Sequence, residues 1–271
     1  MTSCEEKKPT DNNNNESKSV VGQSERVEED KTYSARISKK YILGENYKGK
    51  IGTSLEVSFH IDNDAGTLSG FYFYEKTGID IDVIGTLKED KVTLYELDYK
   101  KDTVAIITAV VNRSSIIGKW MSTNTKREYA FWVKQTDTVI TPLPSNIIGS
   151  YYNDICDLTL SFSKSKGEYY YKYTSPKRNL DGKISFYRGE DIYINLANIE
   201  YAEDYFDIEL FEEDEEKEKE YEKLKEKGKR RVGVECYFSP DELTIQNYGN
   251  AMNYYVKLYD CGEKYIHFQR Q

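Results

Sequence analysis

The chain has 271 residues, of which 38% are hydrophobic and 31% charged, and its formal net charge is −9. No basic face is evident, which argues against nucleic acid and anionic lipid surfaces as partners. The longest apolar runs fall far short of the roughly 18 residues of a membrane-spanning helix, and the length allows one or two domains.

Thr2-Ser3-Cys4 opens the chain, and residues 5–31 are Glu, Lys, Asn, Asp and Ser almost throughout. Such a segment cannot bury enough apolar surface to offset its ordering entropy, so residues 1–40 are expected to form a disordered tether. A tether directly behind a cysteine makes sense if that cysteine is anchored, so Cys4 is the expected lipidation site. A complete export signal does not fit into three residues, and an ordinary cysteine of a cytosolic chain is the alternative.

From Tyr47 to Lys134 polar and apolar residues alternate. Leu55, Val57, Phe59 and Ile61 share one face; Ile79, Ile81, Val83 and Leu87 follow; then Val92 and Leu94, Val104 to Val110, Ile117 to Trp120, and Tyr129 to Val133. Turn clusters such as Asn63-Asp64-Ala65-Gly66 and Glu89-Asp90 separate them at about ten-residue intervals. Twenty-five Tyr and ten Phe suit a pleated, half-buried surface. The expected fold is mostly β: two tandem antiparallel meander barrels of about eight strands each, closed because open edges invite aggregation. Their bounds are 41–136 and 147–271, with a Pro142- and Pro144-bearing linker over 137–146.

Gly52, Gly70 and Gly85 recur at Gly149, Gly167 and Gly182 with an offset of 97, as do Tyr72 and Tyr74 at Tyr169 and Tyr171. The repetition points to a duplicated module. Glu212 to Arg231 is almost all charge, acidic first and basic last, an order that complements a helix dipole. A solvent-exposed helix is expected over 212–229, inserted in the second barrel. Four further strands, Val232–Phe238, Leu243–Gln246, Tyr254–Leu258 and Lys264–Gln269, complete that barrel.

Cys156, in phase with Leu158 and Leu160, and Cys236, in phase with Val234 and Phe238, both read as core-facing. With Cys4 lipidated, Cys156, Cys236 and Cys261 leave at least one thiol unpaired, and no pairing follows from the spacing. Two histidines and no zinc spacing predict no metal centre and no cofactor. Asp62 to Gly66 lacks the distal Glu of a calcium loop and reads as a hairpin turn.

The most polar-aromatic stretch is Asn247-Tyr248-Gly249-Asn250-Ala251-Met252-Asn253-Tyr254-Tyr255. Rings pack on pyranose faces while amides bond hydroxyls, so Asn247, Tyr248, Asn250 and Asn253, with Trp120, are the candidate ligand contacts. The competing reading is a loop whose Asn side chains satisfy local backbone. No nucleophile elbow, phosphate loop or zinc motif is present, so no catalytic residue is nominated.

Thr2-Ser3-Cys4 with Glu5 and Glu6 behind it resembles the start of mature Bacteroidota-type lipoproteins, which implies an outer-membrane, surface-exposed or periplasmic location. The Leu68-to-Tyr72 phrase and Gly118-Lys119-Trp120 resemble avidin-type and lysozyme-inhibitor-type barrels in architecture. The whole chain resembles two-domain Bacteroidota-type lipoproteins, which implies no activity. Two functions follow as expectations: a tethered, non-catalytic module binding glycan or protein, or a periplasmic inhibitor or accessory of another envelope protein.

Overall fold

The computed structural model describes residues 44–205, 229–250 and 253–271. It holds two tandem closed antiparallel barrels within one compact unit. In barrel 1 the strands are β1 (Glu45–Ile51), β2 (Leu55–Asp64), β3 (Thr67–Tyr74), β4 (Ile81–Lys88), β5 (Lys91–Leu97), β6 (Thr103–Asn112), β7 (Ser115–Ser122) and β8 (Glu128–Gln135). Each pairs with the next, and β1 closes on β8. The alternation dictates the interior. Val57, Phe59, Ile61, Leu94, Ile107, Phe131 and Val133 point in and are buried. Phe59 stacks on Tyr72 at 4.4 Å and meets Phe131 edge-on. The Asn63–Gly66 turn is a hairpin: Gly66 N donates to the Asn63 side chain at 2.8 Å, and Ala65 and Gly66 both have positive φ.

Barrel 2 has β9 (Gly149–Asn153), β10 (Leu158–Ser165), β11 (Glu168–Thr174), β12 (Asn179–Arg188), β13 (Ile192–Tyr205), β14 (Lys229–Phe238), β15 (Glu242–Gln246), β16 (Asn253–Tyr255) and β17 (Tyr265–Arg270). Eight of these close the ring through β12–β13 and β17–β9. The third of the four expected late strands, β16, is not a stave. It lies outside the ring, on the far end of β13. The expected helix over 212–229 lies outside the described residues, apart from Lys229, which begins β14.

Strand order supports the duplication, but the glycine offset does not mark equivalent positions. Asp64–Thr67 and Ser165–Glu168 close the corresponding hairpins, so Gly70 corresponds to Tyr171 and Tyr72 to Tyr173. Gly167 sits in the turn before β11. Gly70 and Gly182 make room for different neighbours: a Cβ on Gly70 would meet the His60 carbonyl on β2. In barrel 1, Gly70 faces Val83; in barrel 2, Tyr171 faces Gly182, where an added Cβ would meet the Tyr171 ring at 2.8 Å.

Cys156 departs from its expected strand position, whereas Cys236 faces the core and leaves one thiol unpaired as expected. Cys156 lies in the β9–β10 turn, because the strand begins only at Leu158, and it is bonded to Cys261 across 105 residues. Cys236 is the free thiol among the described residues and is fully buried.

The barrels are docked. The β3–β4 loop of barrel 1 lies against β12, where Phe186 N donates to Thr77 O at 2.9 Å. Arg188 fastens the joint: it pairs with Asp80, donates to the Gly78 and Thr141 carbonyls, and lies 3.8 Å from the Phe73 ring centre. Both charged side chains are largely buried, 7% and 17% exposed. The linker joins in, with Ile140 packed on Phe71 and Phe73 and Leu143 N donating to Asp80 at 2.7 Å.

Candidate functional site

Inward-facing positions on the alternate strands β3, β5 and β7 bring a polar cluster to the end of barrel 1 that faces barrel 2. Glu96 is in phase with Val92 and Leu94 on β5, so the pleat directs a carboxylate inward. It is only 8% exposed. Two donors converge on its Oε2: the Tyr72 hydroxyl at 2.6 Å and Trp120 Nε1 at 2.9 Å. The Tyr72 hydroxyl also lies 3.4 Å from the Tyr74 hydroxyl. Burial, then the Glu96 charge, pushes Tyr72 well above the usual phenol range, so it stays a proton donor. Burial raises Tyr74 too. Behind Trp120 stands Tyr129, 5.8 Å away and 42% exposed at the barrel mouth.

Glu96 borders a cleft of about 670 Å³. One wall is barrel 1: Ile79 to Asp82 on the β3–β4 side, and Leu97, Asp98, Tyr99, Lys101 and Val104 around the β5–β6 loop. Barrel 2 contributes Lys164, Lys166, Gly167 and Glu168 from its β10–β11 hairpin. Most charges there are committed. Lys101 pairs with Asp82, Asp80 with Arg188, and Glu168 with Lys183. Asp98 caps its own turn, accepting from Lys100 N and Asp102 N. Among the described residues no group of three or more His, Cys, Asp or Glu side chains is arranged to hold a metal ion.

The polar-aromatic stretch is in the other barrel. Asn247 is fully buried, and its Nδ2 donates to the carbonyls of Leu258, Cys261 and Glu263 while its Oδ1 accepts from Leu258 N. Its amide is therefore spent on folding the loop between β16 and β17 and offers nothing to a ligand. Tyr248 bonds the Cys261 carbonyl at 3.4 Å, Asn250 is exposed, and Asn253 begins β16 opposite Tyr205. Trp120 alone of the five nominated contacts reaches the cleft cluster, through Glu96. The carboxylate was the part missed; its phase with Val92 and Leu94 was the available signal. Cys4 lies outside the described residues.

No known protein family matches this chain. Neither a curated protein nor a solved structure matches it. The site therefore stands on its own chemistry. It combines a fixed acceptor, aromatic surroundings and a cavity of small-molecule size between two docked bodies.

Proposed function

We propose that this protein is an envelope- or surface-tethered lipoprotein acting as a non-catalytic binding module for a glycan or protein ligand, held in the cleft between its barrels. The observation that carries this reading is Glu96: a nearly buried carboxylate, fixed by two donors, at the border of a 670 Å³ cleft. Binding sites of this kind combine an apolar wall with a few placed polar groups, and Leu97, Val104 and Ile81 supply the wall. The Cys156–Cys261 bond supports an oxidising compartment, since such bonds persist outside the reducing cytosol. The Thr2-Ser3-Cys4 opening supports the lipid anchor.

Two experiments test this. Metabolic labelling with a palmitate analogue should mark the precursor product and spare its Cys4→Ala form; equal labelling removes the anchor. A glycan and envelope-protein binding screen should find a ligand that the wild type holds and that Val104→Trp, which fills the cleft from its half-exposed wall, does not. A ligand held equally by both proteins places the binding surface elsewhere.

A further inference from the structure

Each barrel sets a tyrosine of equivalent register against a carboxylate, and the two pairs differ in one respect. In barrel 2 the carboxylate is closed. Asp260 accepts from the Tyr173 hydroxyl at 3.1 Å, from Ser175 Oγ at 3.2 Å and from Arg178 Nε at 2.7 Å, and its side chain is wholly buried. The charge balance is internal: a resident guanidinium faces a resident carboxylate. In barrel 1, Tyr72 meets Glu96 in the same way, but the second donor is the neutral Trp120 indole. Both donors fall on Oε2. Among the described residues nothing bonds Oε1, and no Lys or Arg pairs with Glu96.

The lysines bordering the cleft do not supply the missing charge. Lys101 belongs to Asp82, Lys164 lies 4.7 Å from the Tyr169 ring centre, and Lys166, exposed on the β10–β11 hairpin, makes no ion pair with Glu96 among the described residues. A carboxylate withdrawn from water without a countercharge is costly, and a cation that reaches it recovers part of that cost. Oε2, held by two donors, locks the rotamer, so Oε1 meets a ligand without further ordering.

We propose that the cleft binds the ammonium group of a small organic cation, an amine or an amino sugar, which occupies at Glu96 the role that Arg178 fills at Asp260. The proposal rests on the cleft being the ligand site. An ammonium donates to Oε1, and the attached carbon skeleton lies along Leu97, Val104 and Ile81. No bond is made or broken, and the proton stays on nitrogen.

Calorimetric titration of the full chain tests it, with spermidine and glucosamine as probes and N-acetylglucosamine as the uncharged counterpart. The expected result is binding of an ammonium-bearing probe and none of the acetylated sugar; which of the two probes binds distinguishes amine from amino sugar. Glu96→Gln should weaken the bound probe by about 10- to 100-fold, as loss of a charge-assisted hydrogen bond implies. Because Glu96 is buried, its variant is paired with Lys164→Gln on the exposed hairpin. Removing that like charge should tighten binding by about two- to fivefold at low salt, and the gain should fade as salt is added. Equal binding of glucosamine and N-acetylglucosamine overturns the proposal, as does an affinity that neither substitution changes. If neither amine binds while a screened ligand is still lost in Val104→Trp, the ammonium assignment fails and the cleft reading survives. If Val104→Trp retains every ligand, the cleft reading falls, and this proposal with it.

Discussion

Replacing both Cys156 and Cys261 by Ser removes a cross-link that spans 105 residues, nearly all of barrel 2. In the chain-entropy argument a loop of that length restricts the unfolded chain by about 4.7 kcal/mol, at the upper end of the roughly 2–5 kcal/mol seen when native disulfides are removed. The native state has its own means of holding the two joined loops. Asn247 binds the Cys261 carbonyl, and Asp260 is tied to Arg178 and Tyr173. The folded form should therefore persist, and the loss should appear as stability rather than as altered structure. For a unit of about 120 residues, with an unfolding entropy of about 0.25 kcal/mol/K, the expected fall in Tm is roughly 15–20 °C. Far-UV circular dichroism reads both barrels. Tryptophan emission reads barrel 1 alone, because both Trp residues, Trp120 and Trp132, lie on its strands. A circular-dichroism midpoint that falls by less than about 3 °C would refute the reasoning, since loop closure would then contribute almost nothing.

Three further outcomes are expected. Arg188→Ala leaves Asp80 buried without its partner and should cost about 3–5 kcal/mol; it should also uncouple the barrels, so that the tryptophan transition no longer responds to loss of the disulfide. Asn247→Ala strips two buried carbonyls, a third part-buried one and one buried amide of their partner and should cost at least about 3 kcal/mol in urea unfolding, whereas a loss below about 1 kcal/mol would mean that the disulfide alone orders the loop. Burial pushes the Cys236 thiol far above its ordinary range, so peptide mapping after iodoacetamide treatment at pH 8 should find it unmodified in native protein and alkylated in guanidinium; rapid native alkylation would contradict its place in the core.

The barrels were legible because a single rule, alternation punctuated by turn residues, governs nearly every strand. Val57, Phe59 and Ile61 share a face in any register that buries them, and Asn63-Asp64-Ala65-Gly66 can do little but turn. Register between barrels was not legible. Gly70 makes room for the His60 carbonyl on β2 and Gly182 for the Tyr171 ring on β11, so matching glycine to glycine aligned positions that do not correspond. The disulfide was hidden for a related reason: Cys261 sits in a loop with no periodicity, and only the folded ring brings it to the Cys156 turn. Asn247 could be read two ways, because an amide among aromatics looks the same whether it faces a sugar or carbonyls of its own chain, and its backbone bonds bear out the local-backbone reading. Glu96 was the most recoverable miss. A carboxylate in phase with Val92 and Leu94 had to point inward, and an inward carboxylate needs partners.

The most direct test of the cleft as the ligand site uses the two tryptophans as reporters in one spectrum. Trp120 donates its indole N–H to Glu96, whereas Trp132 is 44% exposed on the outer face of barrel 1. In ¹⁵N-labelled protein titrated with the ligand identified by the screen, the Trp120 indole resonance should shift saturably while that of Trp132 stays fixed. A bound ligand that leaves the Trp120 resonance unmoved, or moves both in proportion, would contradict the account.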